Sequence, residues 1–139
     1  MQSGTTRTIL NPELGRILLV DDEPAICRAL QIAFKRAGFD SVSAETGENA
    51  LSLLRTQHFD CMVLDLLIPD LRGDVLFELA ASQQPHLRHQ TLFISGDASP
   101  KALELIDACD CPFLIKPFDL HELINQVRRL LPRATDASA

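Results

Sequence analysis

The chain of 139 residues has no tryptophan and no tyrosine, and its aromatic content of 5% rests on seven phenylalanines. Any aromatic contact that matters to function therefore falls to a phenylalanine, with no phenol or indole to offer a hydrogen bond. Positive charge is also scarce. Lys and Arg number 13 against 19 Asp and Glu, and the net charge of −6 argues against direct binding to nucleic acid or to an anionic membrane. A cation or a cationic partner fits better. No run approaches the ~20 apolar residues that span a bilayer, and the first fifteen residues lack the apolar core of a secretion signal, so a cytoplasmic protein is expected. Cys109 and Cys111 form a Cys-x-Cys pair, but no second pair or histidine cluster completes a zinc set, and Cys27 and Cys61 sit in or beside apolar stretches as small hydrophobes do. Neither Gly-x-Gly-x-x-Gly nor a Walker loop occurs, which weighs against a nucleotide site.

What is present suits one globular domain: 46% hydrophobic and 23% charged residues in a length that folds without a disulfide or a structural metal. Residues 1–15 and 132–139 are polar and read as tails, leaving 16–131 as the domain. Short apolar runs recur at 17–20, 61–64, 91–94 and 113–115, each followed by a segment of helical periodicity. The first helix is expected over 24–37, with Pro24 in its first turn, Ile26, Leu30, Ala33, Phe34 and Ala37 inward, and Gly38 as its stop. A second spans about 47–56, with Ala50, Leu51 and Leu54 inward, and a third about 74–82, with Leu76, Leu79 and Ala80 inward. Ser99 and Pro100 open a fourth, and Asp119 with Glu122 opens a fifth whose stripe of Leu120, Leu123, Ile124, Val127, Leu130 and Leu131 runs to Pro132.

Strand and helix in regular alternation call for a parallel sheet covered on both faces, a doubly wound α/β domain of flavodoxin-like three-layer form. Residues 41–44 alternate polar and apolar, which suits an edge strand and favours the order 2-1-3-4-5. Ligand sites in such sheets lie beyond the carboxyl ends of the strands. Asp21, Asp22 and Glu23 follow the first strand, Asp65 the third, Ser95 the fourth, and Lys116 with Pro117 the fifth. Carboxylates gathered there repel one another; at an effective dielectric of ~20 a like-charge pair at about 4 Å costs on the order of 4 kcal/mol. Lys116 supplies one compensating charge, and Mg²⁺, or Mn²⁺ in its place, would supply the rest through oxygen ligands. A site loaded in this way welcomes a phosphoryl group. Asp65 is the candidate nucleophile, Lys116 neutralises one phosphoryl oxygen and Ser95 donates a hydrogen bond to another.

The segments ILLVDDEP, LDLLIPDLRG, ISGDAS and FLIKPF, in this order and spacing, resemble the motifs of the response-regulator receiver domain of two-component signalling. The resemblance runs from about residue 16 to residue 131. It implies that Asp65 accepts a phosphoryl group from a sensor histidine kinase or phosphotransfer protein. It further implies that Asp22 and Asp65 ligate Mg²⁺, Asp21 through water, and Leu67 through its carbonyl. Ser95 then matches the switch hydroxyl and Phe113 the aromatic switch, where many members carry Tyr, and the Lys116–Pro117 peptide is cis. Leu67 and Asp97 fall where the family varies and where a hydrolytic water would approach; an apolar Leu67 implies slow loss of the phosphoryl group, which Asp97 could oppose by orienting a water.

The expected output is a changed surface on the fourth helix, fifth strand and fifth helix that engages a protein target, with Lys101, Leu105, Phe113 and His121 as members and self-association left open. No output segment is evident after Leu131, so a stand-alone receiver and one excised from a hybrid kinase or multidomain regulator both fit. An aspartyl-phosphate phosphatase is disfavoured because such enzymes carry a second Asp two residues after the nucleophile, where this chain has Leu67; a constitutive interaction module is disfavoured because Asp22, Asp65, Ser95 and Lys116 are all present. Asp70, Gly73 and Asp74 read as loop and turn chemistry, and His58, His86, His89 and His121 as surface histidines.

Overall fold

The computed structural model describes residues 14–132; the tail expectations for 1–13 and 133–139 fall outside the described residues. Five strands, β1 (Arg16–Val20), β2 (Asp40–Ala44), β3 (Cys61–Asp65), β4 (Thr91–Ser95) and β5 (Phe113–Ile115), form one sheet. All pairings are parallel, and the order is β2-β1-β3-β4-β5, as expected from the alternating pattern at the β2 edge. Five helices connect or follow the strands: α1 (Pro24–Arg36), α2 (Gly47–Thr56), α3 (Gly73–Gln83), α4 (Pro100–Cys109) and α5 (Leu120–Leu130). A 3₁₀ turn at Pro85–His89, not anticipated from sequence, leads into β4.

The apolar runs of the central strands divide by parity because successive side chains point to opposite faces. Leu18, Val20, Met62, Leu64 and Phe93 pack under α2, α3 and α4. Ile17, Leu19, Cys61, Val63, Leu92 and Ile94 pack against Leu30 and Phe34 of α1 and Leu123, Ile124 and Val127 of α5. Each such side chain, fully buried, contributes about 1.5–3 kcal/mol of transfer free energy. The two layers hold the strand ends still, which is what a site at those ends requires.

The helix boundaries follow local chemistry. Thr46 accepts a hydrogen bond from the Asn49 N–H, Ser99 from Ala102 and Asp119 from His121 and Glu122, so each satisfies donors that the first turn leaves free. Glu122 returns no bond to Asp119, so the start of α5 is a simple cap rather than a full capping box. Gly38 stops α1 with φ +95°, a conformation that side chains rarely adopt.

Two inward assignments are corrected. Leu79 is 41% exposed, and α3 instead buries Leu76, Phe77, Ala80 and Ala81. Two adjacent pairs four residues apart define that face, and Leu79 falls outside it. Leu120, the first residue of α5, is also exposed, because the stripe reaches the sheet only from Leu123 onward. His86 departs from the surface reading as well: half-buried, it bonds the Phe59 carbonyl through Nε2 and stacks on the His58 ring.

Candidate functional site

The carboxyl ends of β1, β3 and β5 bring three acids into contact with one ammonium, with a fourth, Asp22, beside them. Asp65 closes β3 and is almost wholly buried; its Oδ1 accepts the Leu67 N–H at 3.1 Å and its Oδ2 lies 2.9 Å from Lys116 Nζ. Asp21, directly after β1, is 1% exposed, and its Oδ1 accepts the Glu23 N–H at 2.9 Å. Its Oδ2 lies 2.8 Å from Lys116 Nζ, so this buried oxygen is held by ionic contact with the ammonium without a well-formed hydrogen bond among the described residues. Glu23 Oε1 completes the set at 2.5 Å from the same nitrogen.

Lys116 reaches these partners because its backbone extends the β5 pairing, its N–H donating to the Ser95 carbonyl at 2.8 Å, and the following Lys116–Pro117 peptide is cis. Burial opposes the ammonium's charge, but Asp21, Glu23 and Asp65 outweigh it and hold the lysine well above its ordinary pKa. Burial pushes the Asp65 carboxyl up, against the pull of Lys116 and the Leu67 N–H. Four carboxylates against one ammonium leave an excess of negative charge.

Asp21, Asp22 and Asp65 each offer a carboxylate oxygen within 4.8 Å of the others, with Asp22 exposed at the mouth and the other two buried. Three hard oxygen donors, one of them the unbonded buried Oδ2 of Asp21, fit a hard divalent cation such as Mg²⁺. The Leu67 N–H is turned to Asp65, and Leu67 itself is 51% exposed, joined to Arg72 by a bridge that closes the loop after β3.

Ser95 is fully buried at the end of β4, beside the cluster in the sheet, but its hydroxyl faces its own loop. It donates to the Asp97 carbonyl at 3.1 Å and accepts the Asp97 N–H at 2.9 Å. The Asp97 carboxylate caps the next turn by accepting the Ser99 N–H at 2.8 Å. Phe113 is half-buried at the start of β5 and, with Pro100, Leu103, Ile106 and Cys111, lines a groove of about 500 Å³ beside α4. The acids and Lys116 are thus brought together, while Ser95 and Phe113 make no hydrogen bond to Asp65.

Three contributors escaped the sequence reading. Glu23 was one more acid at a strand end, and nothing in its position showed that it would bond Lys116. Asp70, read as loop chemistry, reaches across to α2 and accepts the Gly47 and Glu48 N–H groups at 2.8 and 3.0 Å, tying the loop after Asp65 to a helix start. Gly73 allows the α3 backbone to lie against β3, its N–H donating to the Leu66 carbonyl at 2.6 Å. The run of acids at 21–23 and the Asp-x-x-Gly spacing at 70–73 were the available signals.

Residues 17–128 match the response regulator receiver domain family. The chain belongs to this family. The receiver is 34% identical over 125 residues to the transcriptional regulatory protein KdpE of Mycobacterium tuberculosis, covering 88% of this chain and 53% of that protein. It spans about half the length of the curated relatives it matches. Among solved structures it is similar to the receiver domain of the Francisella response regulator 1452, with a TM-score of 0.73 and 29% identity over 86% of this chain and 96% of that one. The signal receiver domain of a histidine kinase from Syntrophus aciditrophicus superposes with a TM-score of 0.75 and 26% identity, covering 84% of this receiver and 89% of that chain. The receiver is a signalling domain of two-component systems, and no described helix is long and apolar enough to cross a membrane.

Proposed function

We propose that this receiver, taken as residues 16–131, accepts a phosphoryl group on Asp65 from the phosphohistidine of a sensor kinase or phosphotransfer protein and in response changes a protein-binding surface. The observation that carries the proposal is the contact of Asp65 Oδ2 with Lys116 Nζ at 2.9 Å, inside a buried carboxylate cluster that fits Mg²⁺. An Asp65 oxygen bonds to phosphorus as the phosphorus–nitrogen bond of the donor breaks, and the imidazole leaves with that electron pair. Asp22 at the mouth, with Asp21 and Asp65 beneath it, would hold the cation, and the Leu67 carbonyl would be a fourth contributor. When bound, Mg²⁺ supplies charge neutralisation to the incoming phosphoryl oxygens.

The remaining work falls to the protein. Leu67 N–H holds Asp65 Oδ1, so the other oxygen, on the Lys116 side, is the one presented to phosphorus. Lys116 neutralises a second phosphoryl oxygen. Ser95 must give up its two bonds to the Asp97 backbone to donate to a third, and that rotation is the conformational signal. Phe113, on the groove beside α4, follows it by packing alone, since phenylalanine has no hydroxyl. The altered face of α4, β5 and α5, including Lys101, Leu105 and His121, then engages a protein target in the cytoplasm. Leu67, exposed and apolar, offers a hydrolytic water no hydrogen bond and favours a long-lived adduct, while Asp97 acts in the opposite sense.

Incubation with Mg²⁺ and a small phosphodonor, followed by intact mass, tests the central step. One phosphoryl adduct is expected in the wild type and none in Asp65→Ala. An adduct that survives that substitution, or none in the wild type, overturns the proposal. Leu67→Asn is expected to shorten the adduct's lifetime; an unchanged lifetime removes that role from Leu67.

A further inference from the structure

Lys116 is already engaged before any phosphoryl group arrives. Its Nζ donates to Asp65 Oδ2 and to Glu23 Oε1, and it lies in ionic contact with Asp21 Oδ2. These three partners differ in one respect. The side chains of Asp21 and Asp65 are 1% and 6% exposed, and each is fixed by a backbone N–H, from Glu23 and Leu67 respectively. The Glu23 side chain is 56% exposed, and among the described residues no hydrogen bond holds its carboxylate other than that from Lys116. It sits at the N-cap position of α1 yet makes no side-chain cap to that helix. Its carboxylate is therefore committed to the lysine alone.

A phosphoryl group on Asp65 needs an N–H from Lys116 pointed at one of its oxygens. Of the present contacts, the one to Glu23 is the least expensive to give up, because that carboxylate passes into water while the other two would be left buried beside an unpaired charge. From this asymmetry we infer that Glu23 is a positioning residue that latches Lys116 in the resting receiver, and that its release sets how readily Asp65 takes up a phosphoryl group. The latch holds the ammonium toward the mouth of the site, so its remaining N–H cannot turn to the phosphoryl oxygen until the Glu23 contact is released. This inference rests on the assignment of Asp65 as phosphoacceptor.

The competition predicts a faster receiver when the latch is shortened or removed. Glu23→Asp keeps the charge but is one methylene too short to retain the contact, whereas Glu23→Gln keeps the reach and loses the charge. The wild type and both variants would be compared for the rate of phosphoryl uptake from a small phosphodonor at saturating Mg²⁺. A second readout without turnover is the affinity for fluoroberyllate, a phosphoryl mimic, followed by the amide resonance of Leu67. Glu23→Asp is expected to raise both rate and affinity about two- to fivefold at low salt, the scale of a half-exposed ion pair, and by less at high salt.

If only Glu23→Gln gains, Glu23 acts through its charge and not through the contact, and the latch is overturned. A loss of affinity in either variant makes Glu23 a helper of the loaded site and also overturns it. Adduct formation at equal rates across the series removes the latch alone, whereas absence of any adduct in the wild type removes the acceptor assignment on which it stands.

Discussion

A methyl group placed on Gly73 would lie 2.5 Å from the carbonyl oxygen of Asp65 and 2.7 Å from Leu66 Cα. Real side chains do not approach backbone so closely. The start of α3 can therefore press against the strand that carries Asp65 only because residue 73 has no Cβ. Gly73→Ala forces the loop at 66–73 away from β3, and overpacking of this kind costs about 1–3 kcal/mol. Urea unfolding is expected to register that loss. Phosphoryl uptake should fall with it, since the backbone that moves belongs to Asp65. A variant as stable and as active as the wild type would show that the contact relaxes freely.

The site was legible in the sequence to the extent that strand ends are. Four apolar runs, each closed by Asp, Ser or Lys, gave the positions of Asp21, Asp65, Ser95 and Lys116, because parallel strands deliver their carboxyl ends to one edge. What the pattern could not carry is the direction of a side chain. Ser95 and Lys116 are neighbours of the cluster by topology, yet the lysine points into it and the hydroxyl points to Asp97. Helical periodicity has the same limit in α3: Leu76, Phe77 and Leu79 are all apolar, and packing against Phe93 decides that Phe77 goes inward while Leu79 stays in water. Long-range caps such as Asp70 on α2 have no local signature at all.

Charge crowding at the cluster predicts how stability responds to metal. Without a divalent cation, Asp21, Asp22, Glu23 and Asp65 share one ammonium, so Asp65→Asn removes repulsion among acids. The variant is expected to unfold at a higher temperature than the wild type in chelator. Added Mg²⁺ should raise the wild-type midpoint and narrow or reverse the gap, because ligand binding to the folded state stabilises it in proportion to occupancy. Equal responses of the two proteins to Mg²⁺ would separate Asp65 from the cation site.

Asp70 gives a prediction on the acid side. Hydrogen bonds from the Gly47 and Glu48 N–H groups hold its carboxyl below the ordinary aspartate value. The folded state therefore releases this proton more readily than the unfolded state. The resulting stability is complete above the unfolded value of ~3.9 and is lost as pH falls through the lower folded value. Asp70→Asn should be less stable than the wild type by a constant margin between about pH 5 and 7, a margin that shrinks below about pH 4. A margin independent of pH to the foot of the acid transition would assign the effect to packing.

Gln84 stabilises the molecule at the opposite end of the sheet. Its buried amide accepts the Phe59 N–H at 3.0 Å and donates to the Leu54 and Gln57 carbonyls at 3.0 and 2.8 Å, so one side chain closes the turn between α2 and β3. Gln84→Leu keeps the apolar bulk and leaves the buried Phe59 N–H without a partner, a loss of about 2–3 kcal/mol. Phosphoryl uptake should be retained at temperatures where the variant remains folded, since the residue lies far from Asp65 along the strands.

The cysteines predict chemical quiet at neutral pH. All four thiols are free, and burial followed by nearby acids, Asp74 and Glu78, pushes Cys109 up to about 11. Burial and then the neighbouring Cys109 push Cys111 up to about 12. The thiolate is the nucleophile, so at pH 7.5 the folded protein should react with iodoacetamide on the order of a hundredfold more slowly than the urea-unfolded chain, in which a thiol titrates near ~8.5. Raising the pH toward 10 should accelerate labelling at Cys109 and Cys111, which are partly exposed, before Cys61, which is fully enclosed. Rapid labelling of the pair at neutral pH would mean that Asp110, held at φ 57° between them, opens often enough to expose both sulfurs to water.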